Sequence, residues 1–308
     1  MRYTTESLRT FAELTGRDAE FWENTFANLD DEYGLVSYGD IDYPFIIDKM
    51  GEPIKLGYTT KRDEYKTKVP NKKGAPHYLL YRGDISLLNK DNFKRNVAVI
   101  GLLNPTTDIA EREKVLVEEI VKKGGNIVSG LALGCDSIAH RVCLENKGKT
   151  IAVLPSRLDN ILPRGNIDLA NEIVAKGGLL VTEYYNEPVE KFESSARYIE
   201  RDRLQAYFSN SIVLIASYRH PGEHTKQYPK YGIKRDSGSR YAMKTAGDIG
   251  RNRYVLFSAS TDANNEMFDL NKDLLVDKKN PAKSLNSSSI DKMINCELSS
   301  KIQGEFQF

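Results

Sequence analysis

The chain has 308 residues, 40% of them hydrophobic and 28% charged, with a formal net charge of +1. Its length favours about two domains, and its apolar content excludes a wholly disordered chain. No apolar run approaches the ~18 residues of a membrane span, and the first residues lack the apolar core of a signal peptide, so we expect no membrane partner.

The N-terminal region, which we place at residues 1–75, begins acidic and ends basic. Residues 1–48 contain eleven acidic and three basic side chains, and they show one helical pattern of apolar residues at mixed spacings of three and four. Residues 49–75 are rich in Gly, Pro, Lys and Thr and predict a linker, basic at 61–73. The helical pattern comprises Leu8, Phe11, Ala12, Phe21, Trp22 and Phe26.

Apolar runs alternate with amphipathic segments over residues 76–260. The runs lack strict alternation of polar and apolar residues, as is typical of strands buried on both faces of a parallel sheet. They are VAVIG (97–101), NIVSG (126–130), TIAVL (150–154), LLVTE (179–183), SIVLIA (211–216) and RYVLF (253–257). After a first helix near Asp108, further helices are predicted at 135–147, 166–176, 197–209 and 239–248. This order predicts an α/β fold with a Rossmann-like, doubly wound, mostly parallel sheet and right-handed crossovers.

The sequence also predicts where the first helix of this region begins and ends, and what the C-terminal region forms. The first helix is predicted to begin with a capping box of Asp108 and Glu111 and to end at Gly124-Gly125. Its apolar stripe would consist of Val115, Leu116 and Ile120. Residues 261–308 are polar and predict a loosely attached tail with one short helix.

Small residues follow two of the predicted strands. In an open α/β sheet, ligands bind beyond the carboxyl ends of the strands, at the point where the strand order reverses. Gly101 follows the first run, although neither a dinucleotide fingerprint nor a P-loop is present. After the second run, Gly130 and Gly134 leave backbone N–H groups open before a helix that begins at Asp136. Such a turn can hold a phosphate group.

Basic residues cluster near the end of the predicted sheet. Residues 219–240 contain six basic and two acidic side chains, with tyrosines interleaved among them. This combination is typical of single-stranded nucleic acid binding, and a solvated surface insertion is the alternative. Candidate phosphate-binding groups here are Arg197, Arg201, Arg203, Ser237, Gly238, Ser239 and Arg240.

Histidine and cysteine spacing predicts no metal site and no redox cofactor. His140 lies one turn inside a predicted helix, where a structural and a catalytic role both remain open. Cys135 and Cys143 have no adjacent base, so we interpret them as small core residues. Three cysteines without a CxxC pair exclude a disulfide framework and indicate a reduced, cytoplasmic compartment.

Several segments, in order and spacing, resemble the DprA/Smf family over roughly residues 76–258. They are PHYLLYRGDISLL (76–88), SGLALGCDSIAH (129–140), KGKTIAVLPSRLDNILPRGN (147–166), GGLLVTEY (177–184), ERDRLQAYFSNSIVLIAS (200–217) and SGSRYAMKTA (237–246). The resemblance implies a Rossmann-like domain that binds single-stranded DNA, with no catalytic residues. It further implies protection of incoming DNA and loading of a RecA-type recombinase during natural transformation, with a homodimer as a candidate state.

The resemblance also implies which positions line the DNA pocket, and it shows two departures. The implied positions are Gly101, Ser129, Gly130, Arg201, Arg203, Ser237, Gly238 and Ser239. Where the family has Gly-Ser-Arg after the first strand, this chain has Gly101-Leu102-Leu103, so one cation is missing. Where the family has Arg-Asn-Arg, residue 202 is Asp.

Two other functions stay open on the sequence. The first is a nucleotide-sensing or nucleotide-processing protein on the same fold, since the glycines and Ser-Gly-Ser could hold one phosphorylated metabolite. A PGGxGT-type motif, carried by relatives that cleave nucleoside monophosphates, is not found in the sequence. The second is an adaptor whose acidic N-terminal segment binds a basic partner.

Overall fold

The computed structural model of the chain describes residues 3–29, 32–37, 76, 78–188, 191–219, 238–286 and 288–294. Within these residues, nine strands form one sheet in the order β1-β2-β6-β5-β4-β3-β7-β8-β9. The strands are β1 (Tyr33–Ser37), β2 (Tyr78–Gly83), β3 (Asn96–Ile100), β4 (Asn126–Ser129), β5 (Thr150–Val153), β6 (Leu179–Thr182), β7 (Ser211–Leu214), β8 (Asn252–Val255) and β9 (Lys283–Ser284). β2 pairs antiparallel with both β1 and β6, and the other pairs are parallel.

The six predicted strands are confirmed as β3 to β8, and the predicted α/β class is confirmed with them. In the parallel register, Val97 of β3 lies between Ile127 of β4 and Ser211 of β7. The chain runs outward from β3 through β4, β5 and β6, and it then returns to add β7 and β8 on the other side of β3. The strand order therefore reverses between β3 and β7.

Ten α-helices are found in the described part of the chain. They are α1 (Thr5–Thr15), α2 (Ala19–Ala27), α3 (Lys90–Phe93), α4 (Thr107–Lys122), α5 (Cys135–Glu145), α6 (Ile167–Ala175), α7 (Lys191–Tyr207), α8 (Arg240–Asp248), α9 (Asp269–Leu275) and α10 (Ser289–Ile294). Short 3-10 helices at Ile85–Leu88, Arg164–Asn166 and Glu266–Phe268 precede α3, α6 and α9.

The sheet is buried on both faces because successive side chains of each central strand point to opposite sides. Val97 and Val99 pack into a core with α4, α5 and α10. Ala98 and Ile100 pack into a second core with α7 and α8. The result is a three-layer sandwich, with α6 covering the β5–β6 part of the first face.

The start of α4 differs from the predicted capping box. Thr106 is the N-cap and accepts a 3.5 Å hydrogen bond from the amide of Ile109, whereas Asp108 pairs with Arg112. Val115 is exposed, and the buried stripe instead follows Ile109, Leu116, Val117 and Ile120. The predicted end at the glycines is confirmed, since Lys123 is the C-cap of the helix and Gly124 follows it with a φ of 84°.

The N-terminal helical pattern forms two helices instead of one. Gly16 ends α1 with a φ of 66°, a left-handed conformation that favours glycine. Phe11 lies at the centre of the resulting aromatic cluster, with its ring centroid 4.6 Å from that of Trp22 and 4.5 Å from that of Tyr78. Tyr78 opens β2, so this cluster attaches the two helices to the sheet. The predicted linker at 49–75 lies outside the described residues.

The polar C-terminal region is packed against the sheet over its described residues, which corrects the expectation of a loose tail. Phe268 and Met293 are fully buried. The side-chain amide of Asn271 donates to the carbonyls of Leu214, Ile215 and Leu256, at 3.3, 2.9 and 2.9 Å. Polar composition was misleading here because a buried asparagine completes the hydrogen bonding of the sheet edge.

Strands from both flanking regions join the central sheet: β1 from residues 1–75 and β9 from residues 261–308. The boundaries at 75 and 260 stay predictions. No helix in the described ranges is long and apolar enough to cross a membrane.

Candidate functional site

The candidate site lies at the carboxyl edge of the sheet, where the strand order reverses between β3 and β7. The connections after these two strands lead to helices on opposite faces, α4 after β3 and α8 after β7. Such a reversal leaves a crevice beside the strand ends, which is where open α/β sheets bind ligands. Along this edge the chain segments follow the order β5, β4, β3, β7.

Two glycines allow the segments after β3 and β4 to approach each other closely. A Cβ atom on Gly101 would lie 2.6 Å from the Sγ of Cys135. Gly134 has a φ of 74°, and a Cβ atom there would lie 2.3 Å from the carbonyl oxygen of Leu102. The amide of Cys135 donates a 2.9 Å hydrogen bond to the same carbonyl. Gly101 and Gly134 thus join two loops at the rim of the crevice.

The turn after β4 is filled by a carboxylate of the chain itself, which corrects the expectation of open amides there. The amides of Gly130 and Ala132 both donate to Oδ2 of Asp136 at 3.2 Å. Ser129 is fully buried and donates a 2.7 Å hydrogen bond to the carbonyl of Val99. Asp136 therefore occupies the position that the sequence suggested for a phosphate.

Arg201 lies directly against Gly130. A Cβ atom at residue 130 would lie 1.0 Å from Nη1 of Arg201, so only glycine leaves room for the guanidinium group. Arg201 is 4% exposed, with Nη2 3.7 Å from Oδ2 of Asp136 and Nε 3.2 Å from Oδ1 of Asp202. The acidic residue that replaces the family's Asn is thus a partner of this arginine.

The other two arginines of α7 are buried in ion pairs. Arg203 donates to both carboxylate oxygens of Glu183 at 2.8 and 2.7 Å. Burial alone would lower the pKa of Arg203, but the charge and hydrogen bonds of Glu183 outweigh it and raise the pKa. Arg197 donates to Glu193 at 2.7 Å and lies 4.4 Å from the ring centroid of Tyr184. These two predicted site residues stabilise the fold around the edge.

The start of α8 lies beside the end of β3. The hydroxyl of Ser239 donates a 3.3 Å hydrogen bond to the carbonyl of Gly101, and α8 has no side-chain cap. Arg240 is half-buried and its guanidinium lies 4.2 Å from the ring centroid of Tyr241. Gly238 is also half-buried, and Ser237 lies outside the described residues. The N-terminus of α8 therefore meets Gly101 at the switch point, and Arg240 is the first residue of that helix.

The loop after β5 adds a cation that the sequence reasoning missed. Arg164 is exposed in the short turn before α6. The side-chain amide of Asn166 holds this turn to the loop after β4, where it donates to the carbonyl of Leu131 at 2.8 Å, and to the first turn of α5, where it donates to Ser137 Oγ at 2.9 Å. The sequence feature that could have identified Arg164 is a basic residue beside a glycine after a predicted strand, in the segment PRGN (163–166).

His140 is a buried structural residue under this edge. Its Nδ1 lies 2.7 Å from Oγ1 of Thr150, and that hydroxyl donates to the carbonyl of Ile127 at 3.1 Å. Burial, with a smaller effect of the Arg201 charge, lowers the pKa of His140 to about 3, so the imidazole stays neutral. The hydroxyl uses its proton on the carbonyl, so Nδ1 of the neutral ring is the donor to Thr150.

Cys135 and Cys143 are both buried, as expected of core residues. Burial raises the pKa of Cys143 to about 12, so its thiol stays protonated at neutral pH. Among the described residues, no group of three or more His, Cys, Asp or Glu side chains could hold a metal ion.

The fold and the site define a Rossmann-like α/β protein with polar and cationic groups at the strand switch point. The chain belongs to the family described as DNA recombination-mediator protein A, whose family model matches residues 57–227. The DNA processing protein DprA of Bacillus subtilis is 31% identical over 153 residues, which cover 50% of this chain and 49% of that protein. Protein Smf of Synechocystis is 34% identical over 140 residues, covering 46% and 34%.

Solved structures show the same fold. DNA processing protein A of Streptococcus pneumoniae matches with a TM-score of 0.59 at 22% identity, covering 98% of this chain and 87% of that one. DNA processing protein A of Helicobacter pylori, whose structure is described in terms of its single-stranded DNA binding mode, matches with a TM-score of 0.56 at 26% identity, covering 85% and 94%. The curated relatives named above are matched over half of their length or less.

Proposed function

We propose that this protein binds single-stranded DNA, without sequence preference, along the carboxyl edge of its sheet. Family membership and the single-stranded DNA binding described for the Helicobacter pylori relative support the proposal. The observation that carries it is the start of α8, where Ser239 bonds to Gly101 at the switch point and Arg240 follows as the first residue of the helix.

Two cationic groups flank this edge. Arg164 follows β5 and Arg240 follows the connection after β7, and these strands are three positions apart. At ~4.8 Å per strand, their ends are about 14 Å apart. The backbone of a single strand laid along the edge would bring phosphates to both arginines, and phosphate contacts need no particular base.

The other candidate residues have supporting roles in this proposal. Ser239, Arg240 and Gly238 contact phosphate, while Gly101 and Gly134 set the distance between the loops. The remaining candidates are buried and hold the strands and loops of the edge in place: Ser129, Gly130, Asp136, Arg197, Arg201 and Arg203. Ser237 keeps its proposed phosphate contact from the sequence alone. The proposed site has no catalytic residue.

The cellular role follows from the family as a further part of the proposal. We infer that the protein protects incoming single-stranded DNA and loads a RecA-type recombinase on it, in the cytoplasm, as a homodimer. The description of the family as a recombination mediator supports this role. A strand-exchange assay tests it: the protein should speed RecA-type exchange on DNA already coated by a single-strand binding protein, and an unchanged rate would overturn it.

DNA binding itself is tested by fluorescence anisotropy with a labelled oligo-dT at increasing salt. If phosphates supply the affinity, log K falls with log salt at a slope of about −0.7 per neutralised phosphate. Arg164→Ala and Arg240→Ala should each weaken binding and reduce that slope by about one contact. Arg9→Ala, at an exposed position of α1, is the matched control.

Absence of binding at low salt would contradict the proposal. Thermal shift with mononucleotides distinguishes the alternative of nucleotide sensing, because a ligand at 100 times its Kd adds ~2.7 kcal/mol to stability. Stabilisation by mononucleotides without binding of oligo-dT would favour that alternative.

A further inference from the structure

Two exposed leucines lie at this edge, and one of them, Leu103, stands where the resemblance leads one to expect a cation. Leu103, after β3, is 43% exposed, and Leu133, after β4, is 52% exposed. Their loops are in direct contact, since a Cβ atom on Gly134 would lie 2.4 Å from the carbonyl oxygen of Leu103. We refer to Leu103 and Leu133 as the leucine pair.

The leucine pair lies between the two cationic groups of the edge. On one side, a Cβ atom on Gly165 would lie 4.0 Å from Cδ2 of Leu133, which places the Arg164 turn beside it. On the other side, Leu103 is two residues beyond Gly101, whose carbonyl accepts the hydrogen bond of Ser239. Apolar surface is therefore flanked by groups suited to phosphate.

We propose that the leucine pair is a subsite for the unpaired bases of single-stranded DNA; this inference rests on the function proposed above. A single strand presents both kinds of chemistry that the edge offers, negative phosphates and apolar base faces. In a duplex the base faces are stacked on one another and only the edges are open. The pair gives the protein affinity that depends on accessible bases, in place of the missing phosphate contact.

The charge pattern favours DNA bases over a second protein surface as the occupant. Leu133 has Arg164 in the adjoining turn, and Ser239 and Arg240 follow across the crevice. An apolar contact with cations on both sides complements a polyanion that carries apolar groups at short intervals. A protein partner, including a second copy of this chain, would need acidic residues on both sides of an apolar anchor.

The test compares a 20-nucleotide oligo-dT with an abasic oligonucleotide of the same length, which keeps the phosphates and lacks the bases. Leu103→Ala and Leu133→Ala should each weaken oligo-dT binding about fivefold, since each removes apolar contact worth part of a leucine side chain. Binding of the abasic strand should not change. Leu14→Ala, at an exposed position of α1, is the matched control.

Arg164→Ala is the comparison that separates phosphate contacts from base contacts. Both oligonucleotides carry phosphates, so this variant should weaken binding of both by the same factor. Equal losses on both strands with the leucine variants, or no loss on either, would overturn the base subsite. A change in oligomeric state of these variants in light scattering, with oligo-dT binding unchanged, would assign the pair to a contact between two copies instead. If the wild-type protein binds neither oligonucleotide, the proposed function fails first, and that result is distinct from a failure of the leucine variants alone.

Discussion

Gly130→Ala is expected to destabilise the protein through one buried arginine. The added methyl group would lie 1.0 Å from Nη1, 2.0 Å from Cζ and 2.4 Å from Nη2 of Arg201. The guanidinium must therefore leave its position between Asp136 and Asp202, 3.7 and 3.2 Å away. Breaking a buried ion pair costs 3–5 kcal/mol, and since Arg201 keeps some room to move we expect about 3 kcal/mol.

Urea denaturation and thermal unfolding measure this effect. A loss of about 3 kcal/mol corresponds to a fall in Tm of about 5 °C for a chain of 308 residues, at an unfolding entropy of about 2.1 cal/mol/K per residue. Gly165→Ala is the matched control, because its nearest heavy atom would lie 4.0 Å from the new Cβ atom. That variant should unfold within about 0.5 kcal/mol of the wild type.

A double-mutant cycle identifies the cause. In an Arg201→Met background the charged partner is already gone, so Gly130→Ala should add less than about 1 kcal/mol to the destabilisation. If Gly130→Ala costs the same with and without Arg201, the reasoning is refuted, because the loss then comes from the backbone of the turn. A cost as small as that of Gly165→Ala would refute it as well.

Two more predictions concern buried polar groups. Glu113 is fully buried, and this burial raises the pKa of its carboxyl group, with a smaller contribution from the Asp136 charge; a hydrogen bond with the Cys135 thiol opposes the shift without cancelling it. Because the folded protein holds this proton more tightly than the unfolded chain, the neutral carboxyl group adds to the free energy of unfolding below the unfolded pKa of about 4.3. This contribution is lost as pH rises toward the folded pKa. The Tm of Glu113→Gln minus that of the wild type should therefore increase between pH 4 and pH 8; an increase as large for exposed Glu111→Gln would contradict this. Asn271→Ala should cost at least about 2 kcal/mol in urea denaturation, since it removes the side-chain donor shared by three buried carbonyls, and among the described residues only that of Leu214 keeps a backbone donor, the amide of Leu256. Asn160→Ala, which removes one exposed hydrogen bond, should be near neutral.

The central sheet was predictable because its strands are short, apolar and separated by helices. Strands buried on both faces leave this pattern in any sequence, so β3 to β8 were found directly. The flanking strands were not predicted. β9 has two exposed residues, Lys283 and Ser284, and β1 depends on pairing with β2, more than forty residues further along the chain. Such strands are set by tertiary contacts that no local pattern records.

The candidate site was predictable in position and only partly in chemistry. Glycines after predicted strands identified the edge, and the structure places Gly101, Gly134 and Ser239 there. The sequence could not show that Arg203 is neutralised by Glu183, twenty residues away, or that Asp136 accepts the amides of its own turn. A basic residue in a sequence indicates charge, but only the fold shows whether that charge reaches the surface.

The hydrogen bonds of Asn271 have a practical consequence for the smallest unit that folds. One side chain from α9 saturates backbone oxygens at the ends of both β7 and β8. A chain shortened at residue 260 would keep every central strand yet expose those oxygens and the ring pocket of Phe268. The positions of the core strands are therefore a poor guide to where the chain can be shortened. The polar segment that follows them is as necessary for independent folding as the strands themselves.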